Sequence, residues 1–185
     1  MTENPSAATL AAIEQRCQKA STQVYRQFER QVYTLAYRIC QNEADALDIL
    51  QDTFVQAFAK IQQFRGDHFW AWLKKIAVNQ ALSRLRRQRR GPVLMALDSV
   101  HNAIAISPAA GSQMDLNTAF SRLDPDTRAV VWLYDVEGYS HQEIAELFGK
   151  SLSFSKTRLS RAHSQMRAWL ASAAKDTPCL SKTLA

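Results

Sequence analysis

Apolar residues return every three or four positions along most of this chain, and nowhere do they sustain an alternation with period two. That spacing lays a single apolar stripe along a helix, whereas a half-buried strand needs strict alternation. Glycine, which would interrupt helices, occurs only five times in 185 residues. The expected fold is all-α, with helices over about 22–40, 44–63, 69–90, 116–122, 125–137, 140–148 and 153–173.

Residues 91–113 break the pattern. They hold one charged residue, Asp98, and run into Ser107-Pro108-Ala109-Ala110-Gly111-Ser112. Pro and Gly at both ends fit a linker between two helical modules, although Val93, Leu94, Met95, Leu97, Val100, Ile104 and Ile106 make it more apolar than a solvated linker. A segment lying along a partner, one packed on either module, and a short extra helix are alternative readings. The resulting division is an N-terminal extension (1–22), a first module (23–90), the linker (91–113), a second module (114–173) and a disordered tail (174–185).

Cys17, Cys40 and Cys179 are scattered and form no CxxC or His/Cys cluster, which argues against a disulfide framework and a zinc site. No cofactor or metal is expected. The N-terminus lacks a basic segment followed by an apolar run, and no stretch is apolar enough to span a bilayer. A cytoplasmic protein is expected. The formal charge of +6 suggests an anionic partner without naming one, so the distribution of charge decides.

From Arg38 to Lys60 the only charged residues are Glu43, Asp45, Asp48 and Asp52. Helical projection gathers the three aspartates into one sector and sets Leu47, Leu50, Phe54, Phe58 and Ile61 opposite. Such a strip reads either as a solvated face that favours the helix dipole or as a contact for a basic protein partner. DNA would repel it.

The next helix has the reverse character. Phe69, Leu73, Ile76 and Ala77 form its core face, Trp72, Lys75, Asn79 and Arg86 a neighbouring stripe, and Arg84, Arg86, Arg87, Arg89 and Arg90 crowd its end. Guanidinium and ammonium groups contact phosphates, Asn can read a base edge, and an aromatic can stack on an unpaired base. Trp72 reads equally well as core packing, and the arginine run as a solvated helix end.

Ser140 followed by Glu143 is a capping box, and Gly149 stops the helix that it opens. A new helix starts at about Ser153 after a short turn, which is the helix-turn-helix pattern, with plain three-helix packing as the alternative. Leu159, Ala162, Met166, Trp169 and Leu170 form the buried side of this second helix, while Ser153, Thr157, Ser160 and Arg161 face out beside Lys156 and Arg158. Gly149 to Arg167 carries five basic residues and no acidic one.

Together these residues resemble the sigma-70 factors, specifically the small extracytoplasmic-function (ECF) group that has only regions 2 and 4. Asp45-Ala46-Leu47-Asp48-Ile49-Leu50-Gln51-Asp52-Thr53-Phe54 is similar to the polymerase-binding helix of region 2. Phe64-Arg65-Gly66-Asp67, followed by Phe69, Trp72-Leu73, Ile76-Ala77, Asn79 and Arg84-Leu85-Arg86-Arg87, is similar to its promoter-melting, −10-reading part. Leu123-Asp124-Pro125, Val136-Glu137-Gly138-Tyr139-Ser140, Glu143-Ile144-Ala145, Gly149 and the stretch from Lys156 to Ala162 resemble region 4.

The resemblance implies a region 2 helical bundle and a region 4 helix-turn-helix joined by a flexible linker. It implies docking of Asp45, Asp48 and Asp52 on the β′ clamp helices of RNA polymerase core, with the β flap as a further partner. The −10 element would meet Phe64, Arg65, Gly66, Asp67, His68, Trp72, Lys75, Asn79, Arg86 and Arg87. Promoter DNA at −35 would meet Ser153, Phe154, Lys156, Thr157, Arg158, Ser160 and Arg161. Catalysis would stay with the polymerase, so the chain would not be an enzyme. The family also implies an anti-sigma factor as partner; phosphorylation, with Thr53 beside the acidic strip, is the alternative mode of control. The sequence departs from the family at Leu47, where an acid is frequent, and at Lys150 and Ser155, where apolar residues are usual. Ser155 projects into the buried side and Phe154 outward. Two rival readings stay open, a stand-alone helix-turn-helix regulator and a helical protein-interaction module.

Overall fold

The computed structural model describes residues 4–66, 68–90 and 116–175, and within these all regular structure is helical. The chain divides at Gly91/Pro92 into two compact units. The linker assigned above and the tail from residue 176 lie outside the described residues, while residues 174 and 175, assigned to the tail, continue the last helix.

The first unit holds α1 (Ala7–Glu14), α2 (Gln18–Cys40), α3 (Glu43–Ala59), a 3-10 turn (Ile61–Gln63) and α4 (Phe69–Arg90). α2, α3 and α4 pack against one another in all three pairings. Val24, Phe28, Val32, Leu35 and Ile39 of α2 meet Ala46, Ile49 and Ala57 of α3 and Phe69, Leu73, Ala77 and Val78 of α4 in one buried core. Burying this much aliphatic and aromatic surface holds the bundle together. Asn42 caps α3 by accepting the Asp45 N–H at 2.9 Å, which replaces one of the hydrogen bonds missing at a helix start.

Two expectations change here. The N-terminal extension holds a helix outside those expected, because α1 forms within it and packs on α2 and on the 3-10 turn, burying Ile13. α1 is short and alanine-rich, and its sequence does not separate apolar from polar positions clearly enough to mark a face. Its local signals are the Ser6 cap, which accepts the Thr9 N–H, and a closing turn. There the Arg16 N–H donates to Ile13 O and the Cys17 N–H to Ala12 O, with Arg16 at φ 60°. That is the paired bonding of a Schellman ending, built on an arginine where glycine is usual.

The buried arc of α3 is also rotated from the projected one. Leu47 is 43% exposed, while Thr53 is fully buried at the centre of the arc. α3 lies against two helices rather than one, which widens its buried arc to take in Ala46, Thr53 and Ala57 and leaves Leu47 outside.

The second unit holds α5 (Leu116–Ser121), α6 (Pro125–Val131), a π-helical turn (Trp132–Val136), α7 (His141–Phe148) and α8 (Leu152–Lys175). The helix expected over 125–137 therefore changes pitch at Trp132, where the Glu137 N–H reaches back to Trp132 O. The Trp132 Nε1–H donates to Glu137 Oε1 at 3.1 Å and pins that end of the turn. Ala129, Val130, Leu133, Ile144, Leu159, Ala162 and Met166 form the core. Buried Arg128 donates from one Nη1 to the carbonyls of Ser121 and Leu123, satisfying acceptors at the end of α5. The capping box appears as read, with Ser140 and Glu143 bonding reciprocally and Gly149 ending α7 at φ 62°.

Candidate protein- and DNA-binding surfaces

Charge is sorted by helix. α3 has four acidic residues and no basic one, whereas α4 and α8 have only basic ones. Each surface is therefore single-signed along its length, and what remains is which of its side chains face outward.

On α3 the three aspartates part company. Asp48 and Asp52 are exposed, but Asp45 is only 4% exposed and faces α4. There the Arg84 Nε–H donates to Asp45 Oδ1 at 2.7 Å, Gln88 donates to Oδ2 from one turn further along, and Arg84 also pairs with Asp48 at 3.3 Å. The hydrogen bond that Arg84 donates to Asp45 raises the Arg84 pKa above its ordinary value, against the opposing effect of burial. A second polar link, Gln80 to Gln56 at 2.8 Å, lies further along the same interface. Asp45 thus joins α3 to α4 in the free protein and is no longer part of the exposed strip. Helical projection fixes angles about one axis; it does not locate the neighbouring helix that covers the edge of the sector.

What α3 exposes is mixed. Leu47 and Val55, the latter 70% exposed, flank Asp48, Gln51 and Asp52. Isolated exposed aliphatics are ordinary, but two on one face around two carboxylates form a patch suited to a protein partner rather than to DNA. Thr53 is not on this face. Its hydroxyl is buried and has no hydrogen-bond partner among the described residues, so a kinase could not reach Thr53 in the folded unit.

Between the 3-10 turn and α4 the chain carries Phe64, Arg65, Gly66 and His68; Asp67 lies outside the described residues. Phe64 is half-buried, its ring 5.5 Å from both Phe69 and Trp72, and the latter two are 5.5 Å apart. Phe69 continues inward onto Phe28 at 5.3 Å. Phe64 and Trp72 thereby anchor the loop on the core through an aromatic cluster worth more than its buried area alone. Trp72 resolves toward packing, with only part of its ring left outside. Gly66 has φ 132°, a conformation other residues rarely adopt, so the loop turns there on glycine. Arg65 and His68 are exposed on either side, and the Arg65 guanidinium donates to Gln62 O at 2.9 Å. Beyond the loop, Lys75, Asn79, Arg86 and Arg87 are all exposed on α4.

On α8, Ser153, Lys156, Thr157, Ser160 and Arg161 are exposed, as read. Arg158 and Phe154 are turned inward. The Arg158 guanidinium donates to Asp124 Oδ1 at 2.9 Å and Thr127 Oγ1 at 2.6 Å, and lies 4.8 Å over the Phe154 ring, which itself packs on Phe148. Both are therefore half-buried rather than free on the outer face. Asp124 is the N-cap of α6, accepting the Thr127 N–H. Desolvation pushes the Asp124 carboxyl upward, but the Thr127 bonds and the Arg158 charge outweigh it and leave its pKa below the ordinary value. A cleft of about 500 Å³ opens beside this pair, with Ser153, Thr157 and Arg161 on its wall.

Ser155 does point into the buried side, and its hydroxyl is satisfied by His141 Nδ1 at 2.9 Å. His141 in turn stacks on Tyr134 at 4.3 Å. A polar pair replaces apolar packing between the two helices of the motif, which the sequence shows only as an oddly placed serine.

The profile of Sigma-70 region 2 matches residues 24–91, and that of Sigma-70, region 4 matches residues 113–166. The chain is 31% identical over 165 residues to the ECF RNA polymerase sigma factor SigM of Mycobacterium tuberculosis, covering 89% of this chain and 84% of that protein. It is 34% identical over 164 residues to the ECF RNA polymerase sigma factor SigE of Mycolicibacterium smegmatis, covering 84% of this chain but only 63% of that protein. Among solved structures, the sigma factor RpoE in complex with the anti-sigma factor NepR from Bartonella quintana matches with a TM-score of 0.58 at 26% identity. That match covers 81% of this chain and 96% of that one. Two family regions in the same order, on two compact helical units, and a relative at this identity over most of its length leave one assignment: the chain belongs to the ECF group of sigma-70 RNA polymerase sigma factors.

Proposed function

We propose that this sigma factor docks on RNA polymerase core through the outward face of α3 and meets promoter DNA through the loop and outer face of α4 at −10 and through α8 at −35. The observation that carries the reading is the sorting of charge by helix, with carboxylates beside exposed Leu47 and Val55 on α3 and only cations on α4 and α8. On α3, Asp48 and Asp52 supply the outward charge for the β′ clamp helices, and Asp45 contributes by holding α3 on α4. At −10, Arg65, Gly66 and His68 are the exposed part of the loop, Phe64 and Trp72 shape it, Asn79 reads a base edge, and Lys75, Arg86 and Arg87 hold phosphates. At −35, Ser153, Lys156, Thr157, Ser160 and Arg161 face the major groove, with Arg158 orienting the helix from behind.

The reaction itself belongs to the polymerase; this chain positions DNA and is not an enzyme. Among the described residues no helix is long and apolar enough to cross a membrane. We place the protein in the cytoplasm, where core polymerase works, with the β flap as a second docking partner and an anti-sigma factor as regulator. Support for the regulator comes from the RpoE structure, a complex with NepR.

Transcription in vitro with purified core tests the reading. Promoter-dependent transcripts should appear only when this protein is added, and the protein alone should not retain the promoter fragment in a gel shift. Specific retention without core would favour a stand-alone helix-turn-helix regulator instead.

A further inference from the structure

The region 2 match begins at residue 24, yet the chain before it contacts the two elements that flank the loop between the 3-10 turn and α4. The Phe69 N–H, at the first position of α4, donates to Asn4 Oδ1 at 3.1 Å across a separation of 65 residues. The first amides of a helix have no partner within it, so an outside acceptor completes the start of α4. Directly after Asn4 and Pro5 comes α1, capped by Ser6, which packs on the 3-10 turn Ile61–Gln63 and buries Ile13. The 3-10 turn leads into the loop and Phe69 follows it. One N-terminal arm therefore holds the residue groups at both ends of the loop.

We propose that this arm is a brace that pre-orders the −10 loop, and that Asn4 is a positioning residue for capture of the promoter single strand. The proposal rests on the reading of that loop as the −10 contact. A loop whose ends are fixed before DNA arrives loses less conformational freedom on binding, and the saving appears as affinity. Asn4 need not touch DNA to act, because it sets where α4 begins and so where Gly66 and His68 stand relative to Asn79.

The experiment uses holoenzyme assembled from core and full-length chain. Wild type, Asn4→Ala and Asn4→Asp are compared for core affinity, for binding of a −35-only duplex, and for binding of a single-stranded oligonucleotide. The oligonucleotide carries the non-template −10 sequence of a promoter that the holoenzyme transcribes. Asn4→Ala should weaken oligonucleotide binding by about fivefold, the scale of one lost capping bond, while core and −35 affinities hold. Asn4→Asp, which keeps an acceptor oxygen in place, should recover most of the loss. In the free protein the Phe69 amide should exchange faster in Asn4→Ala and return to its wild-type rate in Asn4→Asp. Unchanged oligonucleotide binding in Asn4→Ala would overturn the proposal, as would an equal loss at all three ligands, which would mark a role in the fold as a whole. A wild-type holoenzyme that ignores the single strand would sink the loop reading, and the brace with it, and is told apart by needing no variant.

Discussion

Asp45 and Asp48 stand three residues apart on α3 and should respond oppositely to mutation. Asp45 is buried and bonded to Arg84 and Gln88, so Asp45→Ala removes the acceptor of two bonds and leaves the Arg84 charge half-buried. Because Arg84 keeps some access to water, the expected loss is about 2 kcal/mol rather than the larger cost of stranding a fully buried ion. It should be read as a lower unfolding midpoint of the first unit. Asp48→Lys and Asp52→Lys lie on the exposed side, where an ion pair contributes about 1 kcal/mol or less. Unfolding of that double variant should stay within about 1 kcal/mol of wild type, and association with core should fail. Retained core binding would remove the docking role from α3. Asn79→Ala, also exposed, should cost about 1–3 kcal/mol of discrimination at one promoter position with core affinity unchanged. A uniform loss over all promoter variants would make Asn79 a backbone contact instead. The exposure of Asp48, Asp52 and Asn79 was legible in the sequence because each sits well inside a polar sector. Asp45 was not, because its burial depends on a helix that begins 24 residues later.

The same contrast between local and distant causes runs through the helices. The ends of α7 could be read directly, since a capping box and a glycine stop act within one turn. The departure of Arg158 from the outer face of α8 could not, since it answers to Asp124 and Thr127, more than 30 positions away. The sequence hides α1 for a third reason: its face is formed by what it packs on rather than by its own pattern. The Asp124 junction carries its own prediction. Its folded-state pKa lies below the ordinary value of 3.8, so its contribution is complete above about 3.8 and is lost as pH falls through the lower folded value. Unfolding free energy of the second unit, followed from pH 6 to about 2, should fall more steeply for wild type than for Asp124→Asn, which keeps a capping oxygen but no titrating charge. Parallel curves would mean that Asp124 acts as a cap alone and that the Arg158 pair adds nothing. At neutral pH Asp124→Ala should cost about 1 kcal/mol from the cap.

At the scale of the whole molecule, two compact units each present a basic helix, and a single chain joins them. On the proposed reading neither surface needs to bind tightly, because once one unit is on the promoter the other meets its site at an effective concentration set by the connection between them. Each lysine or arginine that sits on a phosphate releases counterions, and the dependence of log K on log salt then steepens by about 0.9 per contact on duplex DNA and about 0.7 on a single strand. Arg87 in the first unit and Lys156 in the second are exposed and belong to different cores, so their effects should add. Holoenzyme carrying Arg87→Gln should lose about 0.7–0.9 from the slope, Lys156→Gln about 0.9, and the double variant the sum of the two. Weakening should be uniform across promoter sequences, because phosphate contacts position without reading. A single variant with an unaltered slope would remove that residue from the DNA surface. A double variant that loses much less than the sum would mean that only one unit engages the duplex at a time, and the chain would then act through one reading surface rather than two.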